Sequence, residues 1–276
     1  MKKFVLLTAA VCLTSVAFGQ NASSSPIDEY ECIYEYQVKN AKGSIDATST
    51  ILQIGRNTAK FSDYTTFQVD SAISCKASGV DIQKFKTQET RNDMLFDQSV
   101  SQNEPKGKLT VYSIITPNYY SYTESATPIN WNLSEETDTI CGYTCQKAVG
   151  EYGGRTWTVW YSSEIPVSFG PWKLCGLPGL VLAANDAENI HQFKAITFRK
   201  SNTPMSLKPY ANPINISREQ FIKAKNKFEI NPMGNIPAEA ISEMIVLKSE
   251  EGGHRTLING MLLRVRPNGY VPLELK

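Results

Sequence analysis

Histidine is scarce in this chain: His191 and His254 are the only two among 276 residues. A nucleophile that needs an imidazole base therefore has two candidates and no more. No Gly-x-Ser-x-Gly, no His-Glu-x-x-His and no phosphate-cradling glycine loop ahead of a helix occurs, so no motif names a reaction. Charge of one sign is also lacking. With 28 basic and 27 acidic residues, the chain has no basic surplus for holding nucleic acid. Beyond residue 19 no apolar run approaches the ~18 residues of a membrane span, so no transmembrane segment is expected in the mature chain. What remains is 41% hydrophobic and 20% charged, the composition of a globular protein with length for a sizeable core.

Lys2 and Lys3 precede an uncharged, mostly apolar stretch, Phe4 to Phe18, and Ala17 and Gly19 are the small residues that a signal peptidase reads. Residues 1–19 are expected to be a signal peptide, cleaved before Gln20. Residues 20–276 are expected to form a single domain, exported to the periplasm or cell envelope. Export permits disulfides. Cleavage leaves Cys32, Cys75, Cys141, Cys145 and Cys175, an odd set whose pairing the spacing leaves open. Cys141-x-x-x-Cys145 has no second pair to complete a zinc site, and neither metal nor cofactor is expected.

Most of the chain reads as short strands. Tyr30–Val38 is rich in aromatic and β-branched residues, and Ser44–Ile54 alternates. Leu109–Ile115 and Asn118–Tyr122 flank a Thr116-Pro117 turn. Arg155–Tyr161, Leu180–Ala184 and Ile190–Phe198 continue the series. Leu262–Val265 and Tyr270–Leu275 flank Pro267-Asn268-Gly269, a hairpin signal. Gln83–Lys108 reads as a polar loop or a weak helix with a loop. Two helices are expected near the C-terminus. One follows a capping box at Ser217 and Gln220, with Phe221, Ala224 and Phe228 at helical spacing. The other opens at Pro237 and runs through Ile241, Met244, Ile245 and Lys248. The predicted fold is mainly β: one antiparallel, strongly curved sheet or half-barrel with two C-terminal helices packed on it, loosely like lipoprotein-carrier proteins.

The most specific stretch is Trp131 to Asp186. It contains Trp131-Asn132-Leu133, Ile140-Cys-Gly-Tyr-Thr-Cys-Gln-Lys-Ala148, Gly154-Arg155-Thr-Trp-Thr-Val-Trp-Tyr161, Glu164-Ile-Pro166, Gly170-Pro171-Trp172 and Gly176-Leu177-Pro178-Gly179-Leu180. In this order the segments resemble the GLPGLI family of exported Bacteroidota proteins, with Val181 in place of the sixth letter. Phe61-Ser62, Asp70-Ser71, Tyr122 with Glu124, and Pro272-Leu-Glu-Leu275 agree with it. The resemblance implies an envelope protein, often encoded beside TonB-dependent outer-membrane receptors, and names no chemistry. Cys145 lies in the family's pattern, whereas Cys141 and Cys175 stand where the family varies. The expected bridges are Cys141–Cys175 and then Cys32–Cys75, leaving Cys145 as a buried thiol.

Pro178 and Gly179 suit the second and third positions of a type II turn, which would give Gly179 φ > 0. This corner, Gly176 to Leu180, is either a rigid structural element or the mouth of a ligand cavity flanked by Trp160 and Trp172. On one strand Trp157, Val159 and Tyr161 share one face, and Thr156, Thr158 and Trp160 share the other. The expected function is an exported envelope binding or accessory protein with no catalytic residues. Its partner would be an outer-membrane receptor or another envelope protein, and its ligand a small molecule or peptide. A cysteine-dependent envelope enzyme using His191 or His254, or a structural component acting through protein contacts, are the alternatives.

Overall fold

The computed structural model describes residues 29–74, 95–210, 212–248, 254–266 and 268–276. The expected signal peptide, Cys75, Pro267 and the first part of the expected 83–108 loop lie outside the described residues. The strands are β1 (Tyr30–Lys39), β2 (Ile45–Ile54), β3 (Ala59–Asp63), β4 (Gln98–Gln102), β5 (Lys108–Ile115), β6 (Asn118–Ser125), β7 (Asn132–Ile140), β8 (Tyr143–Tyr152), β9 (Arg155–Ser162), β10 (Leu180–Asp186), β11 (His191–Lys200), β12 (Ile214–Asn215), β13 (Met244–Lys248), β14 (His254–Ile258) and β15 (Met261–Leu262). Helix α1 spans Tyr64–Ser74 and α2 spans Arg218–Ile230.

Twelve strands form one open sheet in the order β12-β6-β5-β4-β3-β2-β1-β11-β10-β9-β8-β7. Every pair is antiparallel except β12–β6. Strands β13, β14 and β15 make a second, small sheet. The mainly β, curved-sheet class read from the sequence is the one observed.

Curvature is visible in side-chain contacts between strands that a flat sheet would hold far apart. Nine strand spacings separate β6 from β8, or roughly 43 Å at about 4.8 Å each if flat. Yet the Tyr152 hydroxyl on β8 donates to Glu124 on β6 at 3.3 Å. Lys173, in the β9–β10 connection, supplies the link. Its side chain is fully buried, and its ammonium lies 2.5 Å from Glu124, 2.5 Å from Glu274 and 2.9 Å from the Tyr122 hydroxyl. Arg218, at the start of α2, pairs with both carboxylates from the other side.

That connection fills the inside of the curve. Trp172 is fully buried against Trp157 of β9 and Tyr152 of β8. Its indole N–H donates to Gln98 of β4 at 3.0 Å, while Gln102 donates to the Gly170 and Trp172 carbonyls. The inside of the curve is thus filled by an irregular loop whose Gly170 and Trp172 carbonyls are satisfied from the sheet.

Local signals placed some elements well. Ser217 Oγ accepts from the Gln220 amide and Gln220 Oε1 from the Ser217 amide, so α2 begins with the expected capping box. Phe221 and Phe228 are its buried face, and Phe221 packs on Tyr122 at 5.1 Å. Other expectations need correction. Pro237 is followed only by a 3-10 turn, Ala238–Ala240, and Met244–Lys248 is strand β13. The Ile-Val pair favours extended backbone, and pairing with β14 decides it. The C-terminal hairpin turns at Asn259-Gly260, whose positive φ values of 52° and 75° suit a two-residue primed turn. Residues Asn268 to Leu275 form no strand, and part of the expected 83–108 loop is strand β4.

Replacing Lys173 by Met removes the charge while keeping much of the volume, and leaves two carboxylates sharing Arg218 alone. We expect a loss of about 3–5 kcal/mol in urea unfolding. A loss below about 1 kcal/mol would show that the curve does not depend on this ion cluster.

Candidate ligand-binding site

An opening of about 650 Å³ lies at the end of β1 and the start of β2, beneath the C-terminal segment. Its floor includes Tyr36, Val38 and Phe96; its walls come from the β1–β2 turn, residues 95–98, β14, residues 262–266 and residues 268–273. Tyr36 and Phe96 belong to an aromatic cluster with Phe61 and Phe193, with ring centroids 4.8–6.4 Å apart. The floor is therefore a continuation of the core.

One polar wall is built on the β1–β2 turn. Asn40 Oδ1 accepts from the Lys42 and Ser44 amides, which shapes the turn. Asn40 Nδ2 donates to Asp46 at 2.9 Å, and Asn268 Nδ2 contacts both Asp46 oxygens at 3.3 Å. The Ala41 amide also donates to the Asn268 carbonyl. A Cβ on Gly269, at φ +83°, would come within 2.9 Å of the Ala41 side chain, so glycine lets the two segments meet.

The opposite wall is ionic. Arg266 donates to the Leu95 carbonyl at 3.0 Å and to Asp97 at 2.9 Å, and its Nε lies 3.3 Å from Glu229. Lys225 of α2 bonds Asp97 at 2.6 Å and Glu229 at 2.7 Å. Burial alone would raise the Asp97 carboxyl; Lys225 and Arg266 outweigh it and hold Asp97 well below its ordinary range. Burial likewise opposes the Arg266 charge, and Asp97 and Glu229 overcome it. Tyr270 completes the wall, with the Arg266 guanidinium 5.3 Å above its ring. Burial pushes its hydroxyl far above the usual range, and Asp97 adds to this.

The residues singled out from the sequence lie elsewhere. Trp172, Leu177 and Leu180 are core, Trp160 is half-buried on the other face of β9, and Gly176 and Pro178 are exposed. None of them lines the cavity. Trp157, Val159 and Tyr161 form the buried face of β9. Gly179 does not take φ > 0; Gly176 does, at +95°. Glycine is needed at 179 because a Cβ there would sit 2.2 Å from the Ser162 carbonyl oxygen. Trp172 itself holds φ +54°, a strained value for a bulky residue.

The expected Cys141–Cys175 bridge is not formed, and Cys32, Cys141, Cys145 and Cys175 carry no disulfide among the described residues; the expected Cys32–Cys75 pairing involves Cys75, which lies outside them. Cys175 lies in the β9–β10 connection, where its carbonyl accepts at 3.1 Å from the indole of Trp131, just ahead of β7. Cys141 is at the far end of that strand, about 30 Å away at roughly 3.3 Å per residue, with its thiol on the Ala195 carbonyl. Cys145 is the buried thiol expected. Burial pushes Cys145 and Cys175 up to about 11 and raises Cys32 and Cys141, so none is a ready thiolate. His191 is not beside a cysteine. Its ring nitrogens contact the Tyr36 hydroxyl at 2.8 Å and the Pro272 carbonyl at 3.2 Å. Burial, then the Arg155 charge, brings it down to about 4. Among the described residues no group of three His, Cys, Asp or Glu is spaced to hold a metal ion.

Sequence reading missed Asp46, Asp97, Arg266 and Tyr270. The cue that existed was Asn40 four residues before Ser44, a turn-forming arrangement; the rest converge only through the fold.

Residues 121–212 match the family model described as N-glycanase peptide, N-terminal domain. A structure of PNGF-II in the P21 space group aligns with a TM-score of 0.51 at 15% identity, over 80% of this chain and 35% of that one. The C2 form gives 0.49 at 17% identity, over 71% and 32%. The first likeness shows a shared fold, and the chain spans about a third of the length of PNGF-II. No curated protein matches the sequence.

Two measurements test the corner and the buried imidazole. Gly179→Ala should cost about 2–3 kcal/mol through overpacking, whereas Gly176→Ala, in open space, should cost about 1 kcal/mol through φ alone. Equal effects would mean backbone angle, not close approach, governs the corner. For pH, the folded His191 stays neutral to about pH 4, while the unfolded chain binds its proton near 6.5. Stability should therefore fall as pH drops from 6.5 to 4, by up to about 3 kcal/mol. Urea midpoints across that window check the sign, and His191→Gln should flatten the slope.

Proposed function

We propose that this protein is an exported binding or accessory module of the cell envelope, of the GLPGLI kind, which holds a small ligand in the cavity beneath its C-terminal segment. The cavity carries the proposal. At about 650 Å³ it falls in the size range of ligand sites, and it joins an apolar floor to a few oriented polar groups. Its walls are tied by hydrogen bonds and ion pairs, so binding requires little ordering. The accessory role draws on the match to a module described as the N-terminal domain of an N-glycanase. The receptor partnership, with a TonB-dependent outer-membrane protein, rests on the motif resemblance. A cysteine enzyme is disfavoured by the engaged, lowered His191 and the raised thiols. A role in protein contacts is favoured by one feature: β13 is an edge strand with Met244, Ile245, Val246 and Leu247 all exposed.

The test is purification from the native envelope followed by mass spectrometry of the protein and of co-purifying small molecules. The protein mass should correspond to a chain beginning at Gln20. A ligand should accompany the parent and be absent from Ala47→Trp, which fills the mouth from an exposed position. Equal ligand content in the two would remove the cavity from the function.

A further inference from the structure

We infer that the ligand of this cavity is a neutral, hydroxyl-rich molecule of the oligosaccharide class, bound through Asp46 and Asp97 as acceptors with Tyr270 as a stacking face; this rests on the binding reading above. Charge favours a neutral ligand. The lining holds Asp46 and Asp97 together with Arg255 and Arg266, so these formal charges cancel. An anionic ligand would have to draw Arg266 away from Asp97 and Glu229, leaving buried carboxylates without their cation. A cationic ligand would compete with Arg266 and Lys225 for Asp97. Either exchange costs more than a rim contact returns, whereas an uncharged ligand disturbs no pair.

Acceptors and donors in the cavity favour hydroxyl groups. Asp97 remains ionised because Lys225 and Arg266 hold it so. Asp46 is oriented by amide donors from Asn40 and Asn268. A carboxylate has about four acceptor positions, so each retains capacity after these bonds. Hydroxyl groups suit that arrangement, since each donates once and accepts from a neighbouring amide or guanidinium. An alkyl chain would satisfy neither carboxylate. Part of the lining is apolar. Tyr270 lies in the wall, with Val265 and Ile45 exposed at the rim and Leu262 and Leu263 behind them. A sugar ring carries an apolar C–H face together with an equatorial rim of hydroxyls, and this surface offers a partner for both.

The experiment uses the full chain in isothermal titration against maltohexaose, cellohexaose, chitohexaose and a neutral N-linked oligosaccharide, with a fluorescent fatty acid and an acidic oligosaccharide as comparators. We expect at least one neutral oligosaccharide to bind. Asp46→Asn and Tyr270→Ala should each weaken it by about tenfold or more, the size of one lost hydrogen bond or ring contact, and Ala47→Trp should abolish it. Melting temperature is measured on each variant, and Ala47→Trp serves where the others unfold. Binding of the fatty acid or the acidic oligosaccharide alone, lost in Ala47→Trp, would overturn the oligosaccharide assignment and leave the cavity as a binding site. Binding of a neutral oligosaccharide unaffected by Ala47→Trp would overturn the assignment to this cavity. No binding by any probe, with no small molecule on the natively purified protein, would end both readings.

Discussion

A buried ammonium holds the two halves of an open sheet together. Lys173 lies between Glu124, from one end of the strand order, and Glu274, from the C-terminal segment, with Arg218 closing the cluster. Antiparallel pairing fixes neighbouring strands but leaves the curvature of a twelve-stranded sheet undetermined, because among the described residues no hydrogen-bond ladder joins its edges. The ion cluster supplies that missing constraint at one point. Its location in a dry interior makes it demanding: each charge must be matched, since an unmatched one costs several kcal/mol. Burial raises the hydroxyls of Tyr122 and Tyr152 far above their ordinary range, with Glu274 and Glu124 adding to the effect, so both rings stay neutral beside the carboxylates.

The β9–β10 connection can carry Lys173 to that point only by accepting poor backbone geometry. Trp172 sits at φ +54°, and residues held so cost on the order of 1–3 kcal/mol. The surroundings determine it from several directions: Gln98 takes its indole N–H, Gln102 binds its carbonyl, and Trp157 and Tyr152 contact its ring. Gly170 and Gly179 permit the loop to lie against backbone, since a Cβ at either would fall within 2.2 Å of a carbonyl oxygen. The motif from Gly170 to Leu180 thus encodes a plug, and its conspicuous tryptophan is strained because the adjacent lysine must reach the carboxylates.

Elements governed by near neighbours were legible in the sequence. Tyr30–Val38, Leu109–Ile115 and Arg155–Tyr161 announce strands by β-branched and aromatic content, and Ser217-x-x-Gln220 announces α2. Residues 237–248 misled because a proline start and apolar residues three and four apart fit a helix, while the pairing strand that overrode them comes from beyond the intervening segment. Asn259-Gly260 carried the hairpin signal as plainly as Asn268-Gly269 did; flanking apolar content does not say which turn has strands to join. The clasp and the cavity were hidden for another reason. Lys173 is 49 residues from Glu124 and 101 from Glu274, and a lysine beside tryptophan reads as a surface residue. Asp46, Asp97 and Arg266 are ordinary charges until the fold places them around one space.

The cavity inherits its shape from the clasp through the last residues of the chain. Glu274 is fixed by Lys173 and Arg218, and the carbonyls of Pro272 and Leu273 accept from Arg155, itself paired with Asp186 at 2.6 Å. His191 adds a third contact to Pro272. Tyr270, Val271 and Leu273, which wall the cavity, are therefore held from behind by charges that never face it. On the other side, Lys225 and Arg266 tie residues 95–97 to α2. Two separate ion clusters thus set the width of one space, and both are already neutralised within the protein. Rigid walls with satisfied charges lower the ordering cost of binding but give up long-range attraction for charged ligands. Such a site gains its selectivity at short range, from shape and from the direction of each remaining acceptor.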